Sequence, residues 1–196
     1  MNKIEFGLSN THIALVTLGE GNSVSFAAWE ALPNSKSLVA DNQLVTSQIY
    51  ADNRLTLTCS SVTSKNLTRS CTAFSDEFKK KYLGWMDSDK ATLVEPANPD
   101  VHYVALGTEI KGDAEKRRIV FPLCQVVGYS EGERKTVEGG NIAPSEPKLE
   151  LRVLPVLYDS KNDDYILQEV IDQKSKSFAT AFTGTYTLPK PTQVIL

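Results

Sequence analysis

Hydrophobic and polar residues alternate along much of the chain, and a period of two is the pattern of half-buried β-strands. HIALVTL (12–18), RLTLTCSSV (54–62) and KLELRVLPVLY (148–158) show this alternation most clearly. Further strands are predicted over 24–32, 66–74, 101–110, 119–132 and 177–188. Because clusters of Gly, Asn, Asp and Ser separate these runs, we expect short strands joined by turns, and a mainly β (α+β) fold. Pro122 has no N–H to donate, so it predicts an edge position or a bulge in the strand over 119–132.

Residues 36 to 74 form the longest β-like stretch, and they predict a meander of hairpins rich in Ser and Thr. Two short runs flank Ala40-Asp41-Asn42, and another turn is predicted at Thr63-Ser64-Lys65. The polar turn Ala51-Asp52-Asn53-Arg54 contains two residues that tolerate left-handed backbone angles. We expect this turn to join two strands of the meander.

SDEFKKKYLGW (75–85) is the strongest helix signal in the chain. Ser75 is a suitable N-cap, and acidic residues follow it where the helix dipole favours negative charge. Phe78 and Tyr82 are four residues apart and therefore share one face. Gly84 predicts the end of the helix.

The other segments are predicted as connections, with one open choice. Residues 86–100 and 133–147 are polar and read as loops, and 189–196 reads as an extended tail. Residues 165–173 fit either a short helix or a strand.

Length and charge restrict the class of protein. A chain of 196 residues suits one domain spanning 1–196. A net charge of −3 argues against a broad basic surface that grips nucleic acid. The N-terminus MNKIEFGLSN lacks the apolar core of a signal peptide, and no apolar run reaches the length of a membrane span. We therefore expect a protein made in the cytoplasm, with no membrane contact.

Residues that could carry chemistry are sparse. His12 and His102 could form part of a metal site with Asp100, but Asp100-Val101-His102 is too common a pattern to indicate one, and two ordinary strand histidines are the preferred interpretation. Cys59, Cys71 and Cys124 have no metal-like spacing and are interpreted as small apolar fillers, although a redox pair with one free thiol is the alternative. The sequence has no nucleophile elbow and no glycine-rich phosphate loop. We predict no enzyme activity, no catalytic or metal residues and no cofactor.

The order of these features resembles the major tail proteins, or tail tube proteins, of long-tailed, siphovirus-type bacteriophages. The resemblance begins at FGLSNTHIALVT and continues through a meander centred on IYADNRLTLT. The helix SDEFKKKYLG follows, and then VHYVALGTEIKGDAEKRRIVFPLCQVVG, with Cys124 at the matching position of the family's strand pair. EGGNIAPSEPKLELRVLP completes it. The resemblance covers about residues 1–158, whereas 159–196 match poorly and are expected to add a strand and an extended tail.

The resemblance implies a structural role in the virion tail. It implies a β-sandwich or half-barrel with one flanking helix and an extended hairpin meander. Six subunits would form a ring, and stacked rings would form a hollow tube that conducts DNA during ejection. The partners implied are other copies of the chain, the tape measure protein, and the tail tip and tail terminator proteins, with DNA present only in transit.

Two sets of residues are predicted to serve assembly. The ring-forming and channel-lining meander comprises Ser47, Ile49, Tyr50, Asp52, Asn53, Leu55, Thr56, Thr58 and Ser60. The ring-stacking loop comprises Glu138, Asn141, Ser145 and Glu146. Ser and Thr suit strands that face an aqueous channel, because they favour strands and carry no positive charge to hold phosphates.

Two alternatives remain open at the level of sequence. The inner-tube protein of a contractile or secretion-type machine would share the fold and the ring. A carbohydrate-binding or hydrolytic β-sandwich would be a stable monomer with a concave site and clustered aromatic residues.

Overall fold

The computed structural model describes residues 7–20, 23–51, 54–100, 102–111, 116–133, 145–159 and 164–190, without the side chains of 49–51, 54–57 and 159. Its strands are β1 (Leu8–Leu18), β2 (Val24–Phe26), β3 (Glu30–Ala31), β4 (Ser35–Ala51), β5 (Arg54–Cys71), β6 (Met86–Asp87), β7 (Leu93–Val94), β8 (Tyr103–Ile110), β9 (Arg118–Ser130), β10 (Lys148–Val153), β11 (Val156–Asp159), β12 (Asp164–Ile166) and β13 (Glu169–Ile171). The described residues contain one helix, α1 (Asp76–Leu83). The prediction of a mainly β fold with a helix is confirmed.

Nine strands form one large antiparallel sheet. Its main order is β2-β1-β8-β9-β10-β5-β4, with β3 also paired to β1 and β13 also paired to β9. Two short ladders, β11 with β12 and β6 with β7, lie outside this sheet. Within the described residues, β4 is therefore the last strand at one end of the sheet.

The sheet packs between two layers, because successive strand residues point to opposite faces. On one face, Phe78, Tyr82 and Leu83 of α1 pack in a cluster that includes Ile13 and Val104. On the other face, the next residues along those strands, Ala14 and Ala105, belong to a second cluster. A third cluster contains C-terminal residues: Val120, Ile171, Ala181, Phe182 and Tyr186. The C-terminal segment therefore covers part of the face opposite α1.

Helix α1 begins and ends as its sequence predicts. Ser75 is the N-cap and accepts a hydrogen bond from the Phe78 N–H at 3.1 Å. Gly84 ends the helix in the left-handed conformation, at φ 74°, which costs glycine less than other residues.

Pro122 lies at a bulge in a central strand. The register between β8 and β9 shifts between the pairs Val104↔Cys124 and Leu106↔Phe121. On the opposite edge of β9, β13 pairs with 118–120 and β10 pairs with 124–130. Pro122 therefore falls between two partner strands, where a missing N–H breaks no ladder. The predicted bulge is confirmed.

Several local predictions are wrong. Residues 36–74 do not form a meander of several short strands, because β4 and β5 pair as one hairpin from Ser35↔Cys71 to Ala51↔Arg54. The turn predicted at Thr63-Ser64-Lys65 is a register shift within this hairpin. The predicted strand over 177–188 consists mainly of turns, with an isolated bridge between Thr185 and Ala28. The open choice at 165–173 resolves to strands.

Tyrosine–carboxylate hydrogen bonds connect outer elements to the sheet. The Tyr82 hydroxyl donates to Glu30 at 2.9 Å, Tyr186 donates to Glu169 at 2.6 Å, and Tyr129 donates to Glu95. Burial, followed by the hydrogen bond to the carboxylate, raises the pKa of Tyr82 and Tyr186 above its ordinary value. The same causes raise the pKa of Tyr129 to about 12.

These pairs predict a loss of stability at alkaline pH. A raised tyrosine pKa means that the folded state holds the phenol proton more tightly than the unfolded state. The contribution is therefore complete below the ordinary tyrosine pKa of about 10 and is lost as pH rises toward the folded-state values. We expect the free energy of unfolding, measured with urea, to fall more steeply above about pH 10 in the wild type than in a Tyr82→Phe/Tyr186→Phe variant. Equal slopes would contradict this assignment.

Candidate assembly surface

The hairpin β4–β5 extends well beyond the sheet that carries it. Strand β10 pairs with β5 only from Lys65 to Ser70. The two hairpin strands continue to pair with each other as far as Ala51↔Arg54. At about 3.3 Å per residue, the projecting part of β5 is roughly 35 Å long. All described side chains of 39–48 and 58–63 are exposed.

The outer edge of β4 is unpaired within the described part of the chain. Proteins usually protect such an edge with charges, prolines or short strands, because its free N–H and C=O groups recruit other strands. Strand β4 is 17 residues long, has no proline, and contains only Lys36 and Asp41 as charged residues. The register of the outer half of the hairpin shifts between Gln43/Leu44 and Ile49/Tyr50, and the extra residue of each shift lies in β5, not in β4. This edge is suited to pairing with another chain.

The described residues of the predicted meander lie on both faces of the hairpin. Thr58 and Ser60 pair across the strands with Gln48 and Thr46. The Thr46 and Ser60 hydroxyls lie 3.1 Å apart. Ser47, which alternates with Thr46, lies on the opposite face and pairs with Cys59. The hairpin therefore does not bring Ser47 together with Thr58 and Ser60 on one surface.

The remaining predicted meander residues are placed only in part. Ile49, Tyr50 and Leu55 have paired backbones, Thr56 lies within β5, and their side chains are outside the described set. Asp52 and Asn53 lie outside the described residues.

The predicted ring-stacking loop is described only at its C-terminal end. Glu138 and Asn141 lie outside the described residues. The Ser145 hydroxyl donates to the Glu131 carbonyl oxygen at 2.6 Å, which ties together the two ends of this loop. The exposed Glu146 carboxylate binds Lys36 at 2.6 Å, and this hydrogen bond lowers the pKa of Glu146. Both residues thus contact their own chain.

A polar sheet face lies beside the hairpin and was not among the predicted sites. Leu149, Leu151 and Val153 are buried in the cluster with α1, so their neighbours Lys148, Glu150 and Arg152 point to the opposite face. These three residues are exposed, and they pair with Ser70, Thr68 and Asn66 of β5. The alternation of 148–153 was the sequence signal for this face. The location of this polar face next to the hairpin depends on the pairing of β10 with β5.

The thiols and histidines form no reactive cluster in the described residues. Cys71 and Cys124 are buried, as predicted, whereas Cys59 is an exposed free thiol on the hairpin and does not fill a core. Burial raises the pKa of Cys124, which makes its thiol less reactive. His12 stacks on Phe182 with ring centroids 4.9 Å apart. The described part of the chain contains no group of three His, Cys, Asp or Glu side chains that could hold a metal.

Two clefts lie near the root of the hairpin. One has a volume of about 470 Å³ and is lined by residues of the β3–β4 connection, β5 and α1. The other has a volume of about 510 Å³ and includes Val62, Pro155 and Tyr165 in its wall. No helix in the described residues is both long and apolar enough to span a membrane.

Comparison of the chain with protein-family models and with curated proteins found no match.

Proposed function

We propose that this protein is a structural subunit that assembles through its projecting hairpin into hexameric rings. The rings stack into the tube of a long-tailed bacteriophage and conduct DNA during ejection. The observation that carries the proposal is the long β4–β5 hairpin, whose outer edge is unpaired in the described structure and whose faces are exposed. The resemblance of the sequence to tail tube proteins supplies the biological setting.

Edge pairing explains why the hairpin is so long. An isolated two-stranded ribbon is only marginally stable in water, and three or more strands are needed for independent stability. If a neighbouring copy adds a strand to β4, the hairpin becomes part of a wider sheet. A closed ring of such sheets has no free edge, which removes the risk of uncontrolled association. The fold proposed here is accordingly of the tail tube type, with the ring completing a barrel.

The polar face beside the hairpin has the charge balance expected of a channel for DNA. Lys148 and Arg152 alternate with Glu150 along β10, and the facing residues of β5 are uncharged. Because each cation that neutralises a phosphate adds to the affinity for DNA, a strongly basic wall would hold DNA in place. A wall of mixed charge lets DNA pass, and we assign this face to the channel.

The partners proposed are those of a tail tube. Other copies of the chain form the ring and the stack, the tape measure protein occupies the channel before ejection, and tail tip and tail terminator proteins close the ends. The protein is made in the host cytoplasm and resides in the virion tail. It acts without a cofactor or enzyme activity.

The packing of the two tryptophans favours this role over a carbohydrate-binding sandwich. Trp29 packs edge-on against Phe182 and Tyr186, with centroid distances of 5.7 and 6.0 Å. The Trp85 indole N–H donates to the Tyr129 hydroxyl at 2.9 Å. These rings stabilise the fold and do not present an open stacking platform.

Electron microscopy of the purified protein across a concentration series, paired with light scattering, tests the proposal. We expect six-fold rings or hollow tubes above a threshold concentration, with added tail tip complex as an initiator if the protein alone remains monomeric. Failure to form rings under both conditions would contradict the proposal.

The exposed Cys59 thiol provides a readout of which surface assembles. It should react rapidly with a thiol reagent in the monomer and more slowly in the tube, because it lies on the projecting hairpin. Unchanged reactivity in assembled tubes would place the contact elsewhere.

A further inference from the structure

The cleft of about 470 Å³ at the root of the hairpin contains a buried cation that binds no carboxylate among the described residues. Arg69 of β5 forms part of its wall, although only 1% of the residue is exposed. Its Nε donates to the Ser35 hydroxyl and its Nη2 to the Pro33 carbonyl oxygen, both at 2.9 Å. Its Nη1 is buried without an acceptor among the described residues.

Within the described part of the chain, no carboxylate compensates the charge of Arg69. Arginine stays protonated in proteins, and a buried unpaired charge is strongly destabilising. Burial lowers the pKa of Arg69, and a charge interaction and a hydrogen bond with the Cys71 side chain oppose this shift. Hydroxyl and carbonyl dipoles satisfy two sides of the guanidinium but supply no negative charge. An unsatisfied buried donor of this kind requires a specific explanation.

The carboxylates already in the cleft are not bonded to Arg69. Glu30 accepts hydrogen bonds from Lys81 and from the Tyr82 hydroxyl. Glu77 lines the cleft as an exposed residue in the first turn of α1. The N-terminus of α1 also reaches this wall through Ser75, and the helix dipole favours negative charge there.

The cleft walls are suited to a carboxylate on a hydrocarbon stem. Leu32, Phe74 and Phe78 supply apolar surface. The charged wall residues, Arg69 and Lys81 against Glu30 and Glu77, sum to zero, so a doubly charged phosphate is less suitable than a single carboxylate. A guanidinium also binds a carboxylate in a matching planar geometry.

We propose that this cleft is a carboxylate-binding site whose occupant is a Glu or Asp side chain of a second copy of the chain. Ser35, which holds Arg69, is the first residue of β4, so a copy paired to the outer edge of β4 lies next to the cleft. The chain contains 24 acidic and 21 basic residues, so each copy has carboxylates to offer. The choice of occupant rests on the function proposed above, whereas the carboxylate chemistry does not.

The buried position of Nη1 affects how strongly a ligand binds. A carboxylate reaches Nη1 only when the cleft wall adjusts, so a free small carboxylate is expected to bind weakly. A side chain held nearby by the hairpin contact has a high effective concentration, which compensates for this adjustment.

Replacement of Arg69 by methionine separates a binding role from a structural one. Arg69→Met removes a costly buried charge but also two hydrogen bonds, to Ser35 and Pro33. Because these effects oppose each other, we expect the free energy of unfolding of the monomer, measured with urea, to stay close to the wild-type value. The threshold concentration for assembly, measured by light scattering, should rise at least about tenfold. Lys90→Met, in an exposed turn, removes one charge as a control and should leave the threshold unchanged.

Direct binding is measured by nitrogen-15 NMR of the arginine side chains in the wild-type monomer. Sodium propionate should shift the Arg69 signals in a saturable way, whereas sodium chloride and phosphate at equal ionic strength should not. Propionate should also raise the assembly threshold by competition.

Three results would overturn the inference. A less stable Arg69→Met monomer with no response of wild-type Arg69 to propionate would show a purely structural residue. Glu77→Gln reproducing the effect of Arg69→Met would identify an internal partner. Saturable propionate binding together with normal assembly of Arg69→Met would assign the cleft to a small free carboxylate. If the wild type never assembles, the proposed function fails and the propionate titration alone decides the chemistry of the cleft.

Discussion

Replacing residues 44 to 63 with an Asn-Gly turn should give a folded monomer that no longer assembles. The turn would join Gln43 to Ser64, which are paired across the hairpin, and Asn-Gly suits a two-residue hairpin loop. None of the deleted side chains that the structure describes belongs to the three buried clusters, whereas Leu67 and Leu38 remain in place. We therefore expect the free energy of unfolding to change by no more than about 1 kcal/mol, while ring and tube formation is abolished.

A shorter truncation provides the matched control for this experiment. Joining Gln48 to Thr58 with the same turn keeps the ladder from Leu44↔Val62 to Gln48↔Thr58. It should assemble at a threshold between those of the wild type and the full truncation, as measured by sedimentation and electron microscopy. If the fully truncated protein forms rings at the wild-type concentration, the hairpin is not the assembly element.

Gly107→Ala should strongly destabilise the protein, because the ring of Phe182 occupies the space of the missing side chain. A Cβ added at Gly107 would lie 3.0 Å from Phe182 Cδ1, 3.1 Å from Cζ, and closer still to Cε1. The ring has little freedom to move, since it stacks on His12 and lies beneath Arg118, whose guanidinium is 5.0 Å from the ring centroid. Overpacking of this kind costs about 1–3 kcal/mol, and we expect the upper half of that range.

Gly128→Ala is the control, because Gly128 lies in strand β9 with open space around it. The nearest atom to an added Cβ is Glu150 Oε2 at 3.8 Å. This substitution should be neutral or stabilising by up to about 1 kcal/mol, since alanine costs less backbone entropy than glycine within a strand. Urea unfolding of both variants measures the difference. Equal stabilities would mean that Phe182 does not pack over Gly107 in solution.

The difference between these two glycines shows which packing contacts could not be predicted from the sequence. Both stand in strand-like runs, and nothing in their neighbourhood distinguishes them. Phe182 is 75 residues from Gly107 along the chain, within a segment that the sequence predicts as strand and the structure forms as turns. Its contact with the sheet arises from long-range packing of the aromatic cluster, which outweighs the local strand preference of 177–188.

The sequence predicted that this region forms strands rich in Ser and Thr, but it did not predict a single long hairpin. Asp41-Asn42 and Thr63-Ser64-Lys65 have the residues of turns, yet Asp41 pairs with Asn66 and Asn42 pairs with Lys65 within a continuous ladder. Polar side chains are tolerated there because both faces are exposed, and the register shift near Thr63 accommodates the extra residue. Whether a segment with turn-forming residues adopts a turn therefore depends on its pairing with the partner strand.

The cleft that contains Arg69 could not be predicted from the sequence either. Arg69 lies in a strand-like segment between polar residues, Thr68 and Ser70, and this local pattern gives no reason to expect a buried cation. Its burial follows from Pro33 and Ser35 of the preceding strand connection, and from α1 closing the opposite wall.

The sequence by itself determined the features whose causes lie within a few residues. These include the capped helix from Ser75 to Gly84, the bulge at Pro122 and the alternation of 148–153, because capping, a missing N–H and side-chain period are local properties. Only the tertiary structure decided the length of the hairpin, the polar face beside it and the unpaired charge of Arg69. Each of these features depends on strand pairing or burial between segments that are distant in sequence. The local pattern of hydrophobic and polar residues does not specify which distant segments pack together.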